Sequence, residues 1–232
     1  MITAQITSSL HLLTKLLYIT GVRANWWLHI HTSAVFKRAL DLCLTLPAMI
    51  LLAPLLALVA LAVKLSDGGP ALFWQTRVGQ NGKPFGFPKF RSMRVHSQAL
   101  QTTLQQHNQH GSTGVTFKLK EDPRITVIGR FLRRTSIDEL PQLWCVLSGD
   151  MSLVGPRPAL PAEVARYTSF DRQRLTVKPG LTCIWQVNGR SEVPFPQQVR
   201  MDIEYIRTRS IVRDLRLIGE TFPAVLKGRG AY

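Results

Sequence analysis

Residues 42–63 read LCLTLPAMILLAPLLALVALAV, a run of 22 residues without a charged side chain. A helix of this length and composition can span the hydrocarbon core of a bilayer. Lys37 and Arg38 precede the run and Lys64 follows it, so the positive charges do not distinguish the two ends, as expected if both remain cytoplasmic. Pro54 lies near the middle, where it removes a helical hydrogen bond and favours a kink. Two interpretations fit: a kinked helix that spans the membrane, and a re-entrant helix that bends at Pro54 and returns.

The residues before this run predict a separate segment. Residues 1–36 contain several leucines and reach Trp26 and Trp27. Because tryptophan favours the membrane–water interface, this segment is either an interfacial helix or an unstructured tail. We therefore divide the chain into an N-terminal extension (1–36), a membrane helix (37–66) and a soluble domain (67–232).

The soluble part shows short segments separated by turn sequences. Ser66 to Pro70, SDGGP, predicts the end of the membrane helix. Residues 72–74 and 85–90 predict two strands joined by a turn at Asn81-Gly82. Residues 97–114 are rich in polar side chains and predict a mobile loop. Helices are expected over 137–147, 161–168, 197–206 and 212–226. This pattern indicates one compact α/β-type unit with amphipathic surface helices.

The charge balance predicts a polyanionic partner. There are 29 Lys and Arg against 14 acids, which gives a formal charge of +15. Nucleic acid, anionic lipid and phosphorylated small molecules are the candidate partners. No recognised nucleic-acid-binding module occurs, and the apolar run argues against that class. Three widely spaced cysteines predict neither a disulfide framework nor a CxxC metal pair.

Asp138 and Glu139 are adjacent acids in the basic run RRTSIDELP, residues 133–141. Thr135 and Ser136 stand three residues before them, which is capping-box spacing, so the acids could serve only to cap a helix. The alternative is chemical. Positive potential from nearby arginines keeps a carboxylate ionised, and an ionised aspartate can attack an electrophilic phosphorus. The second acid and Mg²⁺ would then neutralise a diphosphate.

Four cations are candidates for binding substrate phosphate: Arg133, Arg157, Lys178 and Arg190. Arg157 stands between two prolines, which stiffen the backbone. Lys178 and Arg190 lie in the turn sequences KPG and NGR. An arginine fork binds phosphate oxygens bidentately. Ordinary turns explain Lys178 and Arg190 individually, and an exposed loop arginine would explain Arg157, but together these cations predict a phosphate-binding surface.

From residue 37 onward the chain carries a series of motifs in a fixed order. They are KRALD (37–41), KFRSM (89–93), DPRIT (122–126), SIDELPQL (136–143), GDMSLVGPRP (149–158), KPGLT (178–182), WQVNGR (185–190) and GRGAY (228–232). In these motifs the chain resembles the bacterial sugar transferases, the monotopic polyprenyl-phosphate phosphoglycosyl transferases. Its SDGG and GAY segments resemble the exopolysaccharide branch, in which the first sugar is often galactose or glucose.

The resemblance implies a re-entrant membrane helix broken at Pro54 and a catalytic domain on the cytoplasmic face of the bacterial inner membrane. It implies transfer of a sugar-1-phosphate from a UDP-sugar to undecaprenyl phosphate, with release of UMP and a requirement for Mg²⁺. Asp138 matches the family nucleophile, which forms a phosphosugar-aspartyl intermediate, and Glu139 matches its partner. We expect the same two acids to hold the metal. Arg133 matches a phosphate-contacting arginine, and Arg157 lies in the GPRP motif.

Two departures from the family pattern stand out. Ala53 precedes Pro54 where serine is common, which weakens the re-entrant assignment because a hydroxyl could satisfy a freed backbone group. Cys183 stands where glycine is usual. Anionic inner-membrane lipid and downstream glycosyltransferases are the further partners we expect. The alternative function is a non-catalytic, membrane-bound partner of a polysaccharide assembly complex, which the intact pair of acids disfavours.

Overall fold

The structure, a computed structural model, describes residues 2–95, residue 97 and residues 122–227. The chain falls into two compact units, residues 1–40 and 41–232. Beyond Ser97, the polar loop predicted over residues 97–114 lies outside the described residues, as does the GRGAY ending.

Helix α1 (Ile2–Asp67) is one continuous helix that contains Pro47 and Pro54. The re-entrant bend expected at Pro54 stays a prediction. Residues 34–67 of α1 are long and apolar enough to cross a membrane. Leu51 and Leu65 are 80% and 76% exposed. The core helix of a soluble protein would bury such side chains, so their exposure favours a lipid environment.

The SDGGP sequence ends α1 as predicted. Gly68 has the left-handed conformation with φ 73°, and its N–H donates to the Lys64 carbonyl at 3.0 Å. Glycine adopts this conformation without steric cost, which is why it so often follows a helix. Arg91 adds a second contact at this end, where its guanidinium pairs with Asp67.

Strands β1 (Leu72–Val78) and β2 (Pro84–Phe90) form the predicted hairpin. They pair antiparallel, with Leu72 opposite Phe90 and Val78 opposite Pro84. Asn81 in the connecting turn has φ 56°, a left-handed value that asparagine tolerates better than most residues. The hairpin prediction is therefore confirmed.

Short helices, 3₁₀ turns and a second small sheet complete the unit. In chain order they are α2 (Val127–Thr135), a 3₁₀ turn (Ile137–Gln142), α3 (Leu143–Ser148), β3 (Ser152–Val154), α4 (Pro161–Val164), a 3₁₀ turn (Asp171–Thr176), β4 (Gly180–Thr182), α5 (Ile184–Val187), a 3₁₀ turn (Arg190–Glu192), α6 (Phe195–Thr208) and α7 (Ile211–Lys227). Strands β3 and β4 pair in parallel. The unit is thus mixed and rich in helix, with only small sheets.

Most of the predicted helices are confirmed, and one is wrong in its length. The segment expected over 161–168 leaves the helix after Val164. The Thr168 amide and hydroxyl both donate to the Asp171 carboxylate at 2.8 Å. Such a local side-chain bond offers the backbone an alternative to helix, and here it prevails.

The core joins the later part of α1 to the other elements of the second unit. The main cluster includes Phe87, Val146 and Met151, with Met49 and Leu52 of α1 packed against it. Polar contacts fix the same helix. Asp41 is 4% exposed and accepts hydrogen bonds from Ser152 Oγ and the Leu153 amide, each at 3.0 Å. From Asp41 onward, α1 is therefore part of the compact fold.

Candidate active site

A cavity of about 1230 Å³ contains Asp138 and Glu139 in its lining. Strands β1 and β2 contribute cations to the wall, and the loop after β3 contributes Arg157. Other parts of the lining are apolar side chains of α1 and α7, and aromatic side chains near the start of α6. The two acids thus line the same cavity as charged, apolar and aromatic groups.

The backbone before the acids ends one helix and begins a tighter turn. Ser136 has φ 57°, a left-handed conformation that terminates α2 and starts the Ile137–Gln142 turn. Its side chain makes no capping hydrogen bond, while Thr135 Oγ1 donates back to the Phe131 carbonyl at 2.9 Å. The capping interpretation is therefore wrong for Ser136 and Glu139, because the Glu139 carboxylate pairs with side chains from other elements.

Glu139 is held by two cations. Lys89 Nζ lies 3.3 Å from Glu139 Oε1, and Arg157 Nη1 donates to Oε2 at 3.2 Å while Nη2 contacts Oε1. Burial alone would raise the pKa of Glu139, but Arg157 and Lys89 outweigh it and hold that pKa well below its usual range. Burial lowers the pKa of Lys89 to about 8, although Glu139 opposes the shift. Glu139 is thus a fixed anion in this site.

Asp138 has a different environment. The residue is 8% exposed, and among the described residues burial and charges rather than a hydrogen bond act on its carboxylate. Burial and the neighbouring Glu139 charge raise its pKa to about 6, against the opposing effect of Lys89, Arg133 and Arg157. Two adjacent acids therefore differ sharply: one is tied to cations, and the other faces the cavity with its oxygens available.

The structure brings three of the four predicted cations to the cavity. Arg133 and Arg157 line it, and both act electrostatically on Asp138. Arg190 also lines it, and burial lowers the pKa of this guanidinium. Lys178 is exposed and is not among the lining residues. The turn that follows it brings Gly180 against the Gly155 backbone, so this turn serves the pairing of β3 with β4.

Two further cations of the site received no role from the sequence. Lys89, in the KFRSM motif, and Arg77 both lie 5.3 Å from the centre of the buried Phe87 ring. Arg77 Nη1 donates to the Pro158 carbonyl at 3.1 Å, next to Arg157. Burial and then Arg157 lower the pKa of Arg77 to about 10. The sequence signal that could have identified these two residues is a charged side chain inside each of two largely apolar strands.

The donor set fits a metal shared with a substrate. Within the described part of the chain, no group of three or more His, Cys, Asp and Glu side chains could hold a metal ion. Asp138 offers free carboxylate oxygens, whereas both oxygens of Glu139 contact Arg157. Mg²⁺ is commonly bound by one or two carboxylates together with substrate phosphates, and this arrangement suits that mode.

Comparison with known proteins identifies the family. The galactosyl transferase CpsE of Streptococcus agalactiae is 52% identical over 166 residues, 71% of this chain and 36% of the relative. The UDP-glucose:undecaprenyl-phosphate glucose-1-phosphate transferase of Escherichia coli is 42% identical over 202 residues, 84% of this chain and 40% of the relative. The exopolysaccharide production protein ExoY of Sinorhizobium fredii is 39% identical over 200 residues, 85% of this chain and 88% of the relative.

The chain thus spans about two fifths of the length of the first two relatives and most of the third. The family model described as "Bacterial sugar transferase" matches residues 32–228. The matched region includes both acids and the cavity-lining cations of the described part of the chain. On this match the chain belongs to the bacterial sugar transferase family.

Proposed function

We propose that this protein transfers galactose-1-phosphate or glucose-1-phosphate from a UDP-sugar to undecaprenyl phosphate and releases UMP, as the first membrane step of exopolysaccharide biosynthesis. The observation that carries the proposal is the contrast between two neighbouring acids. Glu139 is paired with Lys89 and Arg157, whereas Asp138 faces the cavity without a hydrogen bond from the described residues. The names of the galactosyl and glucose-1-phosphate transferase relatives support the choice of sugars.

The first step forms a phosphosugar-aspartyl intermediate. A carboxylate oxygen of Asp138 attacks the phosphorus next to the sugar, and the bond from that phosphorus to the bridging oxygen breaks. UMP leaves with the electron pair of that bond. An aspartate without hydrogen bonds is a better nucleophile than one already paired, which favours Asp138 over Glu139 in this role. Its pKa of about 6 leaves it largely ionised at neutral pH.

The second step regenerates the enzyme. A phosphate oxygen of the lipid attacks the aspartyl phosphorus, and the bond from phosphorus to Asp138 breaks. The product is a sugar linked to undecaprenol through a diphosphate. Both steps develop negative charge near phosphorus, and preorganised cations stabilise such charge in a water-poor site. Arg133, Arg157 and Arg190 line the cavity, which supports giving them this task, and Arg157 contacts Glu139.

Asp138 and Glu139 are the residues that would hold Mg²⁺. When bound, the ion supplies positive charge to the diphosphate. Asp138 has the more available oxygens of the two, since both oxygens of Glu139 contact Arg157.

The lipid phosphate reaches the acids past apolar side chains. Leu44, Ala48 and Leu52 of α1, and Ile218 and Val225 of α7, line the same cavity as Asp138. Apolar lining contributed by the membrane helix suits a polyprenyl chain that extends into the bilayer. We infer that α1 enters the inner membrane as a re-entrant helix that bends near Pro54. Basic residues on both sides of its apolar run support a cytoplasmic location for both ends, close to anionic lipid.

The test is UMP release from a panel of UDP-sugars by the full chain, with undecaprenyl phosphate and Mg²⁺. Wild type is expected to turn over one or two hexoses, and Asp138→Asn to lose turnover. Asp150→Asn is the matched control, because Asp150 is exposed and outside the cavity lining. Absence of UMP release from wild type with every sugar would favour a non-catalytic partner, and full activity of Asp138→Asn would exclude the proposed nucleophile.

A further inference from the structure

One part of the cavity lining is aromatic and is held by an arginine. The rings of Tyr167 and Phe195 have centroids 5.6 Å apart with planes inclined by 39°. The Arg174 guanidinium lies 5.7 Å from both centroids, and its Nη1 donates to the Tyr167 hydroxyl at 2.9 Å. Its Nη2 lies 2.6 Å from Asp202 Oδ2. These contacts hold both rings in place before a ligand arrives, which is what a preformed binding surface needs.

Gln198 supplies this region with an oriented amide. It is 6% exposed and lines the cavity. Its Nε2 donates to the Val193 carbonyl at 2.7 Å, which fixes the orientation of the amide. No donor among the described residues reaches its Oε1, so the oxygen is the atom left for a ligand. We name this group the aromatic corner: Tyr167, Arg174, Phe195 and Gln198.

We propose that the aromatic corner binds the uracil base of the UDP-sugar, with Phe195 stacking on the ring and Gln198 Oε1 accepting the hydrogen bond from uracil N3–H. This inference rests on the proposed function, which makes a UDP-sugar the substrate. Bases stack on aromatic side chains irrespective of sequence, so Phe195 supplies affinity. Gln198 supplies selectivity, because cytosine carries an acceptor at N3 and would place it against the glutamine oxygen, leaving both unpaired.

The position of the aromatic corner in the cavity suits a nucleotide. Arg77 is close enough to interact electrostatically with both Tyr167 of the aromatic corner and Glu139, and its Nη1 donates to the Pro158 carbonyl beside Arg157. The aromatic corner and the two acids line the same cavity. A base in the aromatic corner would therefore direct the diphosphate along Arg77 and Arg157 toward Asp138.

The test is the affinity of the full chain, in lipid nanodiscs, for UMP and for CMP by calorimetric titration. We expect wild type to bind UMP about 30-fold more tightly than CMP, since a hydrogen bond is replaced by two unpaired acceptors. Gln198→Met is expected to reduce this ratio to about threefold or less by weakening UMP. Phe195→Leu should weaken both nucleotides by about tenfold and leave their ratio unchanged.

Gln197→Met is the control for Gln198→Met, because Gln197 is exposed on the same helix and outside the cavity lining. Equal binding of UMP and CMP by wild type would overturn the proposal without any variant. So would a Gln198→Met protein that weakens both nucleotides equally, because that result marks a structural role. A selective site without UMP release would contradict the proposed function alone, whereas turnover with unselective binding would contradict the aromatic corner alone.

Discussion

Arg157 binds Glu139 bidentately through its guanidinium: Nη1 lies 3.2 Å from Oε2, and Nη2 contacts Oε1. Arg157 lies in the loop after β3 and Glu139 in the 3₁₀ turn that follows α2, so the pair joins two separately built elements at the cavity. A fork-to-carboxylate contact fixes direction as well as charge. The orientation of the acid pair therefore depends on arginine itself and not on positive charge alone.

Arg157→Lys tests this dependence. Lysine keeps the charge but contacts one oxygen only, so we expect UMP release to fall by roughly 10²-fold. Steady-state kinetics with the preferred UDP-sugar measures the loss. Arg200→Lys, an exposed position on α6, serves as control and should retain wild-type rates. Normal turnover by Arg157→Lys would show that the fork is dispensable.

The raised pKa of Asp138 predicts the pH dependence of the reaction. Attack needs the ionised carboxylate, and the pKa of this group is about 6. We therefore expect the rate of intermediate formation to fall about tenfold per pH unit below pH 6 and to level off above it. A rapid-quench measurement of UMP formation between pH 5 and pH 7.5 provides the profile. A rate that is flat down to pH 5 would contradict the assignment.

The two acids should also affect stability in opposite directions. Burial raises the pKa of Asp138 from 3.8 to about 6, so the folded state loses stability as pH rises through that window. Asp138→Asn should therefore raise Tm at pH 7.5, and the gain should disappear near pH 4. The pKa of Glu139 is lowered from 4.5 in the folded state, so the ionised carboxylate stabilises the fold above pH 4.5. Glu139→Gln should lower Tm at pH 7.5. If both variants shifted Tm in the same direction, the predicted difference between the two acids would be refuted.

Lys89 is predicted to be essential to the acid pair. Its ammonium lies 3.3 Å from Glu139 Oε1, and both side chains are 20% exposed. Lys89→Met removes one of the two cations that hold Glu139, and we expect about 10²-fold slower UMP release. Lys83→Met, in the exposed hairpin turn, is the control. Lys89→Arg should recover part of the rate. Wild-type UMP release by Lys89→Met would show that Arg157 alone is enough to hold Glu139.

The sequence predicted what depends on local pattern. The Asn81-Gly82 turn between two short strand-like segments predicted the hairpin, and SDGGP predicted the end of α1, because turn chemistry acts over a few residues. The family motifs pointed to Asp138 and Glu139. Capping-box spacing predicted a hydrogen-bonded cap at Ser136 that the structure lacks. Ser136 has a left-handed backbone there, and Glu139 pairs with Arg157 from a distant part of the chain.

The contacts that assemble the site could not be predicted, because they join distant parts of the chain. Lys89 and Glu139 are 50 residues apart, and Asp41 and Ser152 are 111 apart. No local period encodes such pairs. Lys178 lies beside a tight turn that brings the Gly180 and Gly155 backbones close together, and its role as a phosphate ligand stays a prediction.

Asp41 is predicted to secure α1 to β3. Asp41→Ala leaves the Leu153 amide and the Ser152 hydroxyl without their buried acceptor, at a cost of about 3 kcal/mol of unfolding free energy. Ser152→Ala removes one of the two bonds with its donor and should cost about 1 kcal/mol. Tm in a common detergent gives the order of the two variants. An Asp41→Ala protein as stable as wild type would show that apolar packing alone holds α1.

Gly180 is predicted to admit no side chain, because β4 approaches the loop that carries Arg157 too closely. A Cβ at Gly180 would overlap the Gly155 backbone, whose N–H donates to the Thr182 carbonyl at 3.0 Å. Gly180→Ala must therefore push Gly155 away and displace Arg157, so we expect loss of UMP release together with a fall in Tm. Gly219→Ala is the matched control, since a Cβ there meets nothing within 4 Å and alanine stabilises a helix by about 1 kcal/mol relative to glycine. If Gly180→Ala kept both activity and Tm, the backbone contact would not be what positions Arg157.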